Sequence, residues 1–312
     1  MYFDSLQGWL EWQESLHPKS IDLGLERVGR VFRMLNPVSI KPPTITVAGT
    51  NGKGSCIAFL EAIYRAQGYR VGSYTSPHIL KYNERIKIDG EPVDDETICS
   101  AFERIESVRE NTSLSYFEFC TLAALDIFWR ADLDVQLLEV GLGGRLDAVN
   151  IIDAEATLIT SICIDHCDWL GETREAIGRE KAGIFRKGVP AIIGDPEPPV
   201  SLLQSADSKK APVFRIGKNF FYEKKGSGWN WIGEDRQMLD LPLPALKGEH
   251  QYRNAATVVS TIHFMENLLP VKEISVRKGL SEVHLKGRFQ IINSDIPVLL
   301  DVGHNPQAVR AL

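Results

Sequence analysis

The chain has 312 residues, with 35 Lys and Arg against 41 Asp and Glu, a net charge of −6. At 44% hydrophobic and 24% charged it has the composition of a globular protein, long enough to bury a core without a disulfide or metal staple. The acidic balance excludes a basic nucleic-acid-binding face, no apolar run reaches membrane-spanning length, and the first residues carry neither the basic nor the apolar part of a secretory signal. An amphipathic helix is predicted over residues 3–16, where Leu6, Trp9 and Leu10 fall at helical spacing. Pro37, Pro42 and Pro43 bound a loop before a buried strand at 45–48. A helix over 53–67 closes at Gly68, and a strand follows at 70–75. Residues 85–88 alternate, and Asp89-Gly90 is a hairpin turn. Helices are predicted over 94–110 and 118–131, strands at 135–140 and 156–163, a helix over 172–185 and a strand at 189–193. Residues 195–245, rich in Pro, Gly and aromatics, suggest a loop with a small antiparallel excursion. Helices resume near 250–269 and 272–284, and strands at 289–292 and 298–301 flank a turn at Asn293-Ser294-Asp295. The alternation of strand and helix predicts an α/β fold with a mostly parallel sheet. Residues 306–312 read as the first turns of a helix in a second α/β unit, so the sequence is expected to be part of a longer protein.

The segment Gly49-Thr50-Asn51-Gly52-Lys53-Gly54-Ser55 leaves a buried strand and opens a helix, the setting of a phosphate-binding loop. Its glycines let backbone N–H groups approach phosphates. Lys53 can reach the β- and γ-phosphates, and the Ser55 hydroxyl can ligate Mg²⁺. The spacing departs from G-x-x-x-x-G-K-[ST], because Gly54 separates Lys53 from Ser55. Glu139 ends a strand just before Gly141-Leu142-Gly143-Gly144, where a carboxylate suits a hard cation. Cys163-Ile164-Asp165-His166-Cys167-Asp168 follows another strand. Its spacing does not make a structural zinc site, but His166 alone is placed to ligate a divalent metal. The five scattered cysteines favour reduced thiols in the cytoplasm. By pattern, Lys181 lies on a solvated helix face.

Taken together, several segments resemble the folylpolyglutamate synthase/dihydrofolate synthase family of the Mur-ligase superfamily, and most of all its bifunctional bacterial members. They are Ile21-Asp22-Leu23-Gly24-Leu25-Glu26-Arg27, the Thr50-Asn51-Gly52-Lys53 loop, Thr75-Ser76-Pro77-His78, Ser115-Tyr116-Phe117-Glu118-Phe119, residues 139–150, 160–171 and 178–185, Gly287-Arg288-Phe289-Gln290 and Asp301-Val302-Gly303-His304-Asn305-Pro306. The resemblance spans nearly the whole chain and implies ATP-dependent addition of L-glutamate to dihydropteroate and to folate glutamates through an acyl phosphate. It implies that Thr50, Asn51, Gly52, Lys53, Gly54 and Ser55 hold ATP with Asn254, Arg288 and Asp301. Two Mg²⁺ sites would draw on Ser55, Ser76, Glu139, His166 and Lys181, the last carbamylated; Lys53, Lys181 and His166 would be the catalytic set. Ser15-Leu16-His17-Pro18, Ser115 to Phe119 and Leu146-Asp147-Ala148 would line the pterin site, where Tyr116 and Phe117 suit a flat heterocycle.

The implied organisation is an ATP- and pterin-binding unit over residues 1–294 and the start of a glutamate-ligase unit at 295–312, in a cytoplasmic monomer acting on small molecules, without nucleic acid or membrane. Gly303 stands where the family usually has Ala. A cell-wall Mur ligase is the nearest rival, but only 48 residues precede Gly49, too few for that branch's N-terminal nucleotide-sugar domain. A non-catalytic ATP-binding piece is the alternative of another class. A P-loop GTPase lacks its Asn-Lys-x-Asp segment.

Overall fold

The computed structural model describes residues 3–19, 21–35, 41–292 and 296–312. Pro37, the turn at Asn293-Ser294-Asp295 and the boundary between 294 and 295 lie outside the described residues. In chain order the elements begin with α1 (Leu6–Leu16), α2 (Glu26–Leu35), β1 (Thr44–Ala48), α3 (Lys53–Gln67), β2 (Val71–Tyr74), β3 (Ile86–Ile88) and β4 (Glu91–Pro92). Then come α4 (Asp95–Arg109), α5 (Tyr116–Arg130), β5 (Val135–Glu139), β6 (Ala156–Ile159), α6 (Cys167–Leu170), α7 (Arg174–Lys181) and β7 (Ala191–Ile193). The chain continues through α8 (Val200–Ser208), β8 (Val213–Arg215), β9 (Phe221–Lys225), β10 (Gly228–Ile232), β11 (Gln237–Pro242), α9 (Glu249–Phe264) and α10 (Glu273–Glu282). It ends with β12 (Gln290–Ile292), β13 (Val298–Leu300) and α11 (Pro306–Arg310).

The large sheet runs β4-β3-β2-β5-β1-β6-β7-β8, parallel from β2 to β8 and antiparallel at β2–β3 and at the β3–β4 hairpin. The predicted α/β fold with a mostly parallel sheet is therefore correct. The hairpin turns on Asp89 (φ +52°) and Gly90 (φ +81°), both left-handed, as its Asp-Gly sequence requires. Successive strand residues face opposite sides. Ala48, Leu138 and Ile159 join one core with α1, α2, α4 and α5, while Ile45, Leu137 and Leu158 join the other with α3, α9 and α10. The antiparallel sheet β11-β10-β9 closes the second core with Trp229 and Trp231.

Three expectations need correction. Residues 195–245 are more than a loop with an antiparallel excursion: α8 and β8 extend the parallel sheet by another strand before β9 begins. The Pro196–Pro199 cluster hid α8, because Pro199 only precedes the helix as its N-cap. The strand expected to reach residue 163 ends at Ile159, since Thr160, Ser161 and Cys163 turn out to contact the 49–51 loop. The helix expected over 172–185 runs to Lys181 and then tightens into a short 3₁₀ turn over Ala182–Ile184. Helix α2 carried no expectation from periodicity, although Val28, Val31 and Leu35 bury one face.

Candidate active site

The parallel strands β1, β2, β5 and β6 deliver their C-terminal ends to one edge, where ligands sit in open α/β sheets. In register, Val47 of β1 lies beside Glu139 of β5, and Ala48 beside Ile159 of β6. The loop after β1 crosses to β6: Thr50 N–H donates to the Ser161 carbonyl at 2.7 Å, and Thr160 Oγ1 donates to the Asn51 carbonyl at 2.6 Å. Gly52 turns the chain at φ +92°, and a Cβ there would lie 2.9 Å from Asn254 Oδ1, so only glycine fits. Helix α3 then starts with no side chain capping its N-terminus, which leaves backbone N–H groups and the positive helix end facing outward.

This end opens into a cavity of about 810 Å³, lined by residues 50–55 and by Ser76, Glu139, Asn254, Arg288 and Asp301. It brings together all the expected nucleotide residues and three expected metal ligands. Ser55 is buried and accepts from Gln251 Nε2 at 3.3 Å. Glu139 is buried, and its Oε2 accepts from Ser76 N–H at 3.3 Å. Burial raises the Glu139 carboxyl, opposed by Lys53, the Ser76 N–H and Arg288. Ser55, Ser76 and Glu139 supply hard oxygens around one opening, a donor set that fits Mg²⁺. Among the described residues no cluster of three His, Cys, Asp or Glu forms a further metal site.

The two lysines meet on one backbone oxygen. Lys53 Nζ donates to the carbonyls of Gly49 (3.0 Å) and Thr50 (3.1 Å), and Lys181 Nζ donates to Gly49 at 3.0 Å. The solvated face expected for Lys181 is wrong: the residue is 4% exposed, packed where Gly144 passes against its backbone. Burial, then repulsion by Lys53, lowers its amine to about 7. His166 stands apart on an exposed left-handed turn at φ +51°, outside the residues lining the cavity.

The expected pterin residues lie in and around the first turn of α5. Ser115 and Glu118 cap that helix reciprocally, the Ser115 N–H donating to Glu118 Oε2 at 2.8 Å. Arg27 ties Glu118 (3.1 Å) to Asp22 (2.5 Å), and Asp22 faces His17 Nε2 at 3.3 Å. His17 also bonds Ser113 through Nδ1. Ser15 Oγ donates to the Trp12 carbonyl instead, and Phe119 is wholly core, edge-on to Trp12. Asp147 is buried under N–H groups of Leu142 and Val149, and burial lifts its carboxyl to about 6. Phe117 presses on Gly141, where a Cβ would stand 2.5 Å from its Cζ.

Sequence reasoning missed His250, Arg253 and His304, which line the cavity, and the clasp from α11. There Asn305 and Asn51 exchange amide hydrogen bonds at 2.9 and 3.1 Å, and Asn305 Nδ2 reaches Asp165 at 3.0 Å. The signal for the first two was their place on the helix turn that carries Asn254.

No family profile matches the chain. The chain is 45% identical over 307 residues to the dihydrofolate synthase/folylpolyglutamate synthase of Escherichia coli strain K12, covering 98% of the chain and 71% of that protein. The structure of Escherichia coli FolC in complex with DHPP and ADP superposes with a TM-score of 0.93 at 45% identity, covering 98% of this chain and 72% of that one. The Yersinia pestis bifunctional folylpolyglutamate synthase/dihydrofolate synthase, complexed with AMPPNP and Mn ion, gives a TM-score of 0.92 at 46% identity, over 98% and 73%.

Proposed function

The chain belongs to the dihydrofolate synthase/folylpolyglutamate synthase family of ATP-dependent glutamate-adding ligases, and from that premise we propose how its residues divide the work. Lys53 and the N–H groups opening α3 hold the ATP phosphates, with Asn254, Arg288 and Asp301 on the rest of the nucleotide. The observation that carries this is the single cavity uniting residues 50–55 with Ser76 and Glu139. The relatives crystallised with AMPPNP and Mn ion, and with DHPP and ADP, support a nucleotide, a divalent metal and a pterin as ligands here too.

A divalent ion, when bound, would withdraw charge from the transferring phosphoryl group; Ser55, Ser76 and Glu139 would hold it. A substrate carboxylate oxygen attacks the γ-phosphorus and ADP leaves, giving an acyl phosphate. The glutamate amine then attacks the acyl carbon; the carbon–oxygen bond to phosphate breaks, and the nitrogen loses a proton. Lys53 neutralises the oxygens during the first step, and positioning supplies much of the rate. Tyr116, Phe117, Leu146, Asp147 and Ala148 take the pterin.

A second metal site at His166 and Lys181 belongs to the same proposal. The amine of Lys181, lowered to about 7, is about half unprotonated at neutral pH and in that form can attack CO₂. Its nitrogen bonds the carbon, a proton leaves, and a carbamate oxygen replaces the ammonium. Residues 1–294 would form the nucleotide and pterin unit and 295–312 the start of a second unit, in a cytoplasmic monomer; no helix among the described residues is long and apolar enough to cross a membrane. The test is ADP release with dihydropteroate and ATP, with and without L-glutamate. Glutamate-dependent release is expected; release indifferent to both pterin and glutamate overturns the function.

A further inference from the structure

Arg85 ends a 3₁₀ turn over Tyr82–Arg85 just before β3, 9% exposed, between the nucleotide cavity and α5. Its guanidinium carbon lies 5.7 Å from the centre of the Tyr116 ring and 5.8 Å from that of Tyr82. Its Nε donates to His78 Nδ1 at 2.8 Å, and among the described residues no carboxylate pairs with it. His78 brings no negative charge: its Nδ1 accepts from the guanidinium. Several other half-buried arginines are matched, whereas among the described residues Arg215, Arg253 and Arg288 also form no ion pair. Arg27 closes on Asp22 and Glu118, Arg104 on Asp126, Arg109 on Glu106 and Arg174 on Asp195.

A charge taken out of water without a counter-ion is costly, so chains keep one where a ligand supplies the opposite sign. The position names the ligand. On one side His78 lines the nucleotide cavity beside Ser76; on the other, the guanidinium lies against the ring of Tyr116. The anion wanted there belongs to a molecule that lies along Tyr116 and extends toward the phosphates.

We propose that Arg85, oriented by His78, binds the carboxylate of the pterin substrate and so fixes the oxygen that is to attack ATP. A guanidinium presents two parallel N–H groups to a carboxylate, which sets direction as well as charge. Tyr116 is a pterin residue only under the function proposed above, and Arg85 inherits that premise.

Calorimetry with the whole chain in the presence of ADP tests it, using dihydropteroate and the analogue whose carboxylate is replaced by a carboxamide. The wild type is expected to bind the acid about 10- to 100-fold more tightly than the amide, the range for a charged hydrogen bond. Arg85→Gln should bind both as weakly as the wild type binds the amide, and Arg85→Lys should keep part of the preference; both should bind ADP as the wild type does. Equal binding of acid and amide by the wild type overturns the assignment and leaves the function standing. So does a preference that survives in Arg85→Gln, or a loss of ADP affinity alongside, which marks a structural arginine. Binding of neither compound overturns the function and the assignment together. Should Arg85→Gln not fold, the wild-type comparison and Arg85→Lys still decide.

Discussion

The proposed phosphate half of the site and the proposed pterin half are built in opposite ways. The phosphate half is one continuous loop, residues 49–55, whose carbonyl oxygens already accept from two lysines: Lys53 on Gly49 and Thr50, and Lys181 at the end of α7 on Gly49. The proposed pterin half draws on His17, Tyr116 and Glu118, with Asp22 and Arg27 tying His17 to Glu118 and Arg85 beside Tyr116, from segments as far as 91 residues apart in a single ion pair. A carbonyl oxygen is a weak partner that phosphate can replace, so the first half can be filled without first breaking an ion pair. In the second, Arg27 is committed to carboxylates and Arg85 is left uncommitted.

The largest expected effect comes from removing the cation of the first half. Lys53→Ala should weaken AMPPNP binding by about 30- to 100-fold, roughly the 2–3 kcal/mol of a charge-assisted contact. Dihydropteroate affinity should stay within twofold of wild type. Titrations of both ligands would show whether the halves are separable; equal losses on both sides would erase the distinction.

The next effect crosses the seam. Gly141 follows the strand that carries Glu139, and Phe117 rests where its side chain would be. Gly141→Ala must push the ring aside, an overpacking cost of about 1–3 kcal/mol. The pterin should bind about tenfold more weakly, while ADP affinity holds. An unchanged pterin affinity would remove Phe117 from that site.

The same contrast decides what a sequence reveals. The glycine-rich loop that opens α3 was legible because its geometry needs glycines and a lysine at fixed local spacing, and because a buried strand and a helix bracket it. Glu139 was legible as the carboxylate at a strand end. The hairpin at Asp89-Gly90 was legible because two left-handed residues demand such a pair. Lys181 was misjudged, since its burial comes from Gly144 packing against it across the chain, which helix periodicity does not encode. Arg85 escaped notice because an arginine in an alternating strand looks like its solvent face. Only the folded neighbours, Tyr82, Tyr116 and His78, show that it is buried and lacks a counter-ion. Helix α8 was lost for a local reason: prolines ahead of a helix look like prolines in a loop.

The last effect probes the other lysine beside the 49–55 loop, through pH. Burial and Lys53 hold Lys181 at about 7 in the folded chain, against an ordinary value of 10.5. Between those values the unfolded chain carries a proton that the folded chain does not. Stability rises with pH wherever the unfolded state binds more protons, so this group makes the fold more stable from pH 7 upward until the unfolded lysine also titrates. The slope from one such group is at most about 1.4 kcal/mol per pH unit. Asp147 acts in the opposite sense lower down: lifted from 3.8 to about 6, it keeps a proton in the folded state that the unfolded chain has lost, and it makes stability fall as pH rises through that window. The two windows do not overlap, so they can be measured apart. Urea unfolding in metal-free, CO₂-free buffer between pH 7 and 9 should give a steeper rise for the wild type than for Lys181→Met, whose buried methionine has nothing to titrate. Parallel lines for the two proteins would mean that Lys181 is an ordinary ammonium at neutral pH, and the free amine needed to take up CO₂ would be absent.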